Sequence, residues 1–581
     1  MTPIMDPRKG DLEDDASSTK HRSILSLAGT LLVEISLPRL VIAWVLLLII
    51  PGLLLGAAPI GAWIWFSTAR GQINAMEYGS LVLLAIVAGV GWYGWRPLFR
   101  VAERAFWSLN SLIVQPIYST FRETLRHLAE KWLPAGASAA RGARLRAASA
   151  AVSGTIISGL AVLIILWVWP NTYLFYGIPN VDSVQHLTIV VLSNSVALIS
   201  AYLAVAAAVW TIADVTMSQP RDLPTFHPRP PQGRTWRVAH LSDIHMVGER
   251  YGFRIESGRS GPQGNERWKQ VLARLSAIHA SEPLAAVLIT GDVTDAGRSA
   301  EWAEFQDAFD AYPELAAVTL MLPGNHDVNI VDRANPARLD LPTSPNRRLR
   351  QIRTLAALAT LQGDRVRVVN PPGSGLGETL NQSLAPHLDE MTRFLATGSP
   401  TLIRTLPKLW DGVFPMVLPP DSTDGLGLIL LNSNAITHFS FTNALGMISA
   451  EQARRIDVAV SSHPRALWII GLHHHLLEYP RAAKALSERI GTALINGNWF
   501  TRRLQRYSDR IVVMHGHRHV DWIGECDGLL IVSAPSPIME ATNDTAGYFY
   551  IHTLATMADG RIGLLAPERI AVAGSSPPRH G

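Results

Sequence analysis

Four long apolar runs crowd the first 216 residues, and they restrict what the chain can fold into more than any other feature. They cover about residues 40–66 (LVIAWVLLLIIPGLLLGAAPIGAWIWF), 79–95 (GSLVLLAIVAGVGWYGW), 151–169 (AVSGTIISGLAVLIILWVW) and 187–213 (LTIVVLSNSVALISAYLAVAAAVWTIA). A bilayer core about 30 Å thick is crossed by roughly 20 apolar residues in a helix. Four such runs exceed what the core of a soluble domain needs, so residues 39–216 read as a membrane domain with about four transmembrane helices. Residues 1–38 read as a polar cytoplasmic N-terminus. Their leader, MTPIMDPRKGDLEDDASSTKHR, is polar and acidic and does not resemble a cleavable export signal.

Charge between the runs sets an orientation. Arg96, Arg100, Arg104, Arg122, Arg126, Lys131, Arg141, Arg144 and Arg146 lie between the second and third runs, and Arg221, Arg229, Arg234 and Arg237 follow the fourth. Residues 171–186 contain no Lys or Arg, and residues 67–78 contain only Arg70. Cytoplasmic loops collect positive charge, so both termini are expected in the cytoplasm, with the protein in a bacterial inner membrane. Residues 97–150 form a basic cytoplasmic segment. Within it, 97–132 reads as an amphipathic helix or helix pair, interrupted at Pro116, either lying on the inner membrane face or packed as a solvated hairpin. Residues 217–235, with five prolines, read as a semi-rigid linker.

The second half has a different texture, with charges spread throughout and short apolar runs. The net charge of +4 is modest and no basic stripe is interleaved with aromatics, so no nucleic-acid partner is expected. A single cysteine, Cys526, excludes an internal disulfide and a thiolate-ligated metal site, and fits a reducing compartment. One grammar recurs: a strand-like apolar run, then a loop opening with Asp, Asn or His. TWRVAHLS leads to Asp243 and His245, and PLAAVLIT to Asp292 and Asp295. AAVTLML leads to Asn325, His326 and Asp327, RALWII to His473, His474 and His475, and DRIVVM to His515, His517 and His519. Binding groups of α/β sheets collect at the carboxyl ends of strands, so the five loops are expected to converge on one crevice. Buried without partners, so many polar groups would cost several kcal/mol.

The set Asp-x-His, Gly-Asp-x-x-Asp, Gly-Asn-His-Asp, strand-end His and Gly-His-x-His resembles the calcineurin-like metallophosphoesterases, over residues 236–555. The resemblance implies an α/β domain with two mixed β-sheets sandwiched between helices, followed by a tail at 556–581. It implies a binuclear centre in which Asp243, His245 and His519 hold one ion, and Asn325, His517 and one of the three consecutive histidines hold the other, with Asp292 bridging. His473 is the expected ligand and His474 its rival, while His475 stands where the family often has proline. His326 would give a hydrogen bond or a proton to the leaving oxygen, with Asp327 orienting its ring, and Asp295 would shape the metal loop. Imidazole and oxygen donors without thiolate suit two divalent ions such as Mn, Fe, Zn, Co or Ni, and a shared carboxylate suits ions about 3.5–4 Å apart.

Two stretches fall outside this pattern. LNSN (431–434) stands where an Asp-Ser pair is frequent in the family, which leaves Asn432 unassigned. The segment 331–425 is longer than a connection needs. Its NRRLRQIR, with Arg347, Arg348, Arg350 and Arg353, and its PPGSGLGE read as a solvated basic helix and loop, or as a substrate cap or membrane-facing patch. The sequence therefore points to a membrane-anchored phosphoesterase of phosphodiester or phosphomonoester bonds, with the bilayer and a phosphoester substrate as its partners. A hydrolase of lipid-linked phosphate or pyrophosphate, and a non-catalytic scaffold or sensor, are the alternatives.

Overall fold

A computed structural model describes residues 45, 49–75, 82, 89, 114–130, 139–175, 183–231, 233–248, 263–331, 345–370, 375–397, 406–437, 443–480, 494–538 and 547–572. They divide between two compact units, Ala28–Met217 and Ser218–Gly581.

The first unit is helical, with α1 (Ile50–Ala75), α2 (Gln115–Glu130), α3 (Ala139–Val168) and α4 (Val184–Val215). Three stretches, Ile50–Thr68, Arg144–Asn171 and Val184–Val215, are long and apolar enough to cross a membrane. The expected second span, 79–95, lies outside the described residues except for 82 and 89. α1 runs through Pro59 and extends later than the apolar run that announced it. It meets α4 at two glycines: Ser195 Oγ donates to the Gly52 carbonyl (2.5 Å) and Asn194 Nδ2 to the Gly56 carbonyl (3.0 Å). Small residues let two helices approach closely, and their carbonyls then take polar side chains in place of water. α2 carries its charges on the inside. Tyr118, Ser119, Glu123 and Arg126 are buried, while Ile117, Phe121 and Leu128 are exposed.

The second unit holds two sheets. One has six strands in the order β14-β13-β2-β3-β4 with β15 on β13; the other has nine, β1-β11-β12-β10-β9-β8-β7-β5-β6. In the first, β2 (Thr235–Leu241), β3 (Ala286–Ile289) and β4 (Thr319–Met321) are parallel. In the second, β8 (Leu426–Leu430), β9 (Leu467–Gly471), β10 (Ile511–His515) and β12 (Leu529–Ser533) are parallel. These strands are apolar and almost wholly buried, as central parallel strands covered on both faces must be. The sheets meet where a Cβ on Gly471 of β9 would touch Leu322, just after β4, at 3.0 Å. Helices follow by the same logic: Gln263–Ser281 turns Trp268, Val271, Leu272 and Leu275 inward, one face of a 3.6-residue period. Within each sheet, the parallel strands that precede candidate ligands point their carboxyl ends the same way.

Three stretches outside the expected strand-and-loop pattern add strands to these sheets. Arg221–Asp222 of the expected linker forms β1, which pairs with β11 (Trp522–Cys526). The expected tail supplies β14 (Ile562–Leu564) and β15 (Glu568–Ala571), both paired with β13 (Tyr548–Thr556). Within 331–425, the strands β5 (Arg367–Val369), β6 (Leu376–Thr379) and β7 (Met416–Leu418) finish the nine-stranded sheet. The arginine helix there, Pro345–Gln362, is not a solvated one: Arg347, Arg350 and Arg353 are buried. The guanidinium groups of Arg347 and Arg353 serve an amide and a main-chain acceptor. Arg353 donates to the Gly297 carbonyl (3.2 Å) and Arg347 to Asn329 Oδ1 (3.2 Å).

Candidate metal centre

The loop after β2 is stitched to the loop after β3. The amides of Asp243, His245 and Met246 donate to the carbonyls of Gly291, Asp292 and Val293, and the Asp295 amide donates back to Met246. Glycines close the gap to the third loop. A Cβ on Gly324 would lie 2.1 Å from the Asp292 amide, and one on Gly291, whose φ is +96°, would lie 2.7 Å from both the Gly324 amide and His473 Nδ1. Only bare backbone fits there. Of the six non-glycine residues with left-handed φ among the described residues, five are Asp243, His245, Asp292, His517 and His519. That conformation costs energy in an ordinary side chain and collects at functional sites.

These loops gather the predicted side chains. Asp243, His245 and His519 present donor atoms within 4.8 Å of one another, as do Asp292, His473 and His517. Asp292 also joins His245 and His326 in a third such group. Its Oδ2 lies 3.1 Å from His473 Nε2 and 3.8 Å from His245 Nε2, so one carboxylate faces both trios. Its Oδ1 accepts the His326 amide (2.8 Å). His473 Nε2 has Asn325 Oδ1 and His517 Nδ1 each at 3.1 Å. Asp243 Oδ2 accepts the His517 amide (2.9 Å), and its Oδ1 lies 3.4 Å from His519 Nε2.

The three histidines separate by their hydrogen bonds. His473 Nδ1 stands 2.8 Å from the Thr290 carbonyl, which can only accept, so Nδ1 carries the hydrogen and Nε2 turns its lone pair into the site. His474 Nδ1 is engaged by Ser433 Oγ (2.9 Å), and that hydroxyl also accepts the amides of His473 and His474. His475 Nε2 lies 3.8 Å from Glu478, and its ring stacks on that of His517 with centroids 6.1 Å apart, without joining either trio. Ser433 and Thr290 are the residues that sequence reasoning missed. One acts through a short hydroxyl and the other through main chain, so the LNSN departure was the only signal available.

The role expected of Asp327 meets a different geometry. The Asp327 carboxylate takes the Thr294 amide (2.9 Å), the Thr294 hydroxyl (2.7 Å), the Gly324 amide (2.8 Å) and the Val293 amide (3.3 Å). It clamps loop to loop and does not orient the His326 ring. That ring is held instead by the Asp295 carbonyl, 2.7 Å from Nδ1. Asn432 is accounted for locally, since its Oδ1 accepts the Asn434 amide (3.1 Å).

The electrostatics favour a cation. Burial works to raise the Asp292 carboxyl, but His473 and His326 outweigh it and hold it well below the ordinary range. Burial works to lower His473, and the Asp292 and Asp243 charges push it up to about 9. His517 and His474 are driven well below an ordinary imidazole by burial and by their charged neighbours, which leaves lone pairs to donate. His245 Nε2 and His517 Nε2 are buried without a hydrogen-bond partner. Orphaned polar atoms are costly unless something binds them. Imidazoles, carboxylates and one amide oxygen are a donor set that divalent transition ions take, so the residues fit such ions.

Residues 237–521 match the family of calcineurin-like phosphoesterases. No curated protein matches the sequence. Among solved structures, the chain is similar to a putative 5'-nucleotidase from Staphylococcus aureus, with 12% identity, TM-score 0.29, and 59% of this chain and 55% of that one covered. It is also similar to a purple acid phosphatase from yellow lupin seeds (14%, TM-score 0.27, 56% and 50%) and to the NAD nucleotidase of Haemophilus influenzae (11%, TM-score 0.30, 59% and 57%). The chain spans about half the length of these three. The C-terminal part of the chain, residues 237–521, thus carries the match to a calcineurin-like phosphoesterase domain.

Proposed function

We propose that this protein is a membrane-anchored, metal-dependent phosphoesterase that cleaves phosphodiester or phosphomonoester bonds on the cytoplasmic side. The observation that carries the reading is the Asp292 carboxylate facing two separate donor trios. Asp243, His245 and His519 would hold one divalent ion, Asn325, His473 and His517 the other, and Asp292 both. When bound, such ions lower the pKa of a water and neutralise phosphoryl charge. The chain supplies the remaining roles. His326 has its Nδ1 hydrogen committed to the Asp295 carbonyl, so in the imidazolium form its second hydrogen, on Nε2, is the one given to the departing oxygen, and the ring is left neutral. The Asp327 clamp keeps the Asp292 and Asn325 loops in register.

Three apolar helices in the same chain support a second reading, a substrate that is itself lipid-linked. A panel of soluble phosphodiesters, phosphomonoesters and lipid-linked phosphates, each assayed with detergent-solubilised and bilayer-reconstituted protein, separates the two. Turnover restricted to lipid-linked substrates favours the second, and a C-terminal reporter found outside the membrane contradicts the cytoplasmic placement.

A further inference from the structure

A helix in water buries its apolar stripe and shows its charges. α2 does the reverse. Its Arg122, Glu123, Arg126 and Glu130 are all buried or half-buried. Arg122 and Glu123 pair at 2.9 Å, Arg126 and Glu130 at 2.8 Å, and Glu123 is fully buried. On the outside, Ile117, Phe121 and Leu128 are 45%, 39% and 50% exposed, with Thr120 the only other exposed residue among Ile117–Glu130.

The contacts also fix how deep the helix sits. Tyr118 packs with Ile157 of α3 and Ala207 of α4, and Leu203 lies against the same cluster. Ala207 and Leu203 precede the end of α4 at Val215 by eight and twelve residues, which is about 12 and 18 Å along the axis at 1.5 Å per residue. The Tyr118 hydroxyl and Arg122 Nη1 both bond Asp214 Oδ2, at 3.0 and 2.5 Å. An aspartate in the last turn meets the negative end of the helix dipole and needs a cation beside it. α2 therefore brings its charges to the end of α4 and lays its first turns along the apolar span. The outward face of α2 matches that of α3, where Ile156, Leu160, Leu163 and Leu166 are exposed, and of α4, where Val205, Val209 and Ile212 are exposed.

We infer that α2 is a membrane-embedded helix: lipid acyl chains cover the Ile117–Phe121–Leu128 face, and the Arg122–Asp214 pair with Tyr118 ties its charged face to α4. Lipid is the occupant because the stripe is apolar and exposed like the outer faces of the two helices that α2 packs on, both long enough to span a bilayer, and hydrocarbon is the surrounding in which charges turn inward. The inference rests on the membrane reading proposed above.

The test is site-directed spin labelling of the full chain in phosphatidylcholine nanodiscs, in a Cys526→Ala background. Nitroxides at Ile117→Cys, Phe121→Cys and Leu128→Cys are compared with Leu163→Cys on α3 and Lys269→Cys on the catalytic unit. Power saturation should show oxygen more accessible than a water-soluble nickel chelate at 117, 121, 128 and 163, with the opposite at 269. Nickel accessibility at 117, 121 and 128 with oxygen preference kept at 163 overturns the inference and leaves the membrane reading standing. Nickel preference at 163 as well overturns both. Dipolar broadening between labels at 121 means that a second copy covers the stripe, and also overturns it.

Discussion

The Asp292 carboxylate stands 3.1 Å from His473 Nε2 with both groups buried, and Asn325 Oδ1 faces the same nitrogen. With the His473 hydrogen on Nδ1, these are acceptors pointed at one another, an arrangement that a proton or a cation must fill. Asp292→Asn keeps the shape and removes the charge that both trios share. It should lose both ions in metal analysis of the purified protein, and activity should fall by more than the 10–100-fold that losing an outer hydrogen-bond partner costs. Retention of two ions would remove Asp292 from the bridging role.

His473 and His474 make a paired test. His473→Ala should lose one of the two ions. His474→Ala should keep both, with metal affinity weakened by at most about 10–100-fold, because its Nδ1 is engaged by Ser433. The reverse pattern would transfer the ligand role to His474.

His326→Gln should retain metal content and lose about 10²–10⁴-fold in kcat, the usual weight of a general acid. A fully active variant would mean that another group serves the leaving oxygen.

Away from the site, His552 is buried on β13 beside His240, and burial lowers it to about 4. Between pH 6.5 and 4 the unfolded chain binds a proton there that the folded chain does not. Its stabilising contribution is therefore complete above pH 6.5 and is lost as pH falls toward 4, up to about 3 kcal/mol. His552→Leu should flatten the decline in Tm over that window when the full chain is melted at a series of pH values. An unchanged slope would place the acid sensitivity elsewhere.

The candidate ligand loops were legible as loops because each follows an apolar strand of its own and opens with a residue that has no business in a core. What the fold added lies in groups with no side-chain signature. The Thr290 carbonyl selects the His473 tautomer, and the Asp295 carbonyl, not Asp327, holds His326. Arg350 and Arg353 looked solvated because charge normally seeks water, yet the helix that bears them packs behind the ligand loops, where the Gly297 carbonyl needs a donor. β14 and β15 are three and four residues long, too short for alternation to announce. The inside-out face of α2 was equally hidden, since amphipathic spacing says that two faces differ but not which one meets solvent.

The most direct test is hydrolysis of an aryl phosphodiester and an aryl phosphomonoester by the purified full-length protein, before and after chelation and with Mn²⁺ restored. The account predicts turnover that disappears with the metal, returns with it, and is absent from Asp292→Asn. No turnover of either ester with any of Mn, Fe, Zn, Co or Ni, by folded protein, would contradict it.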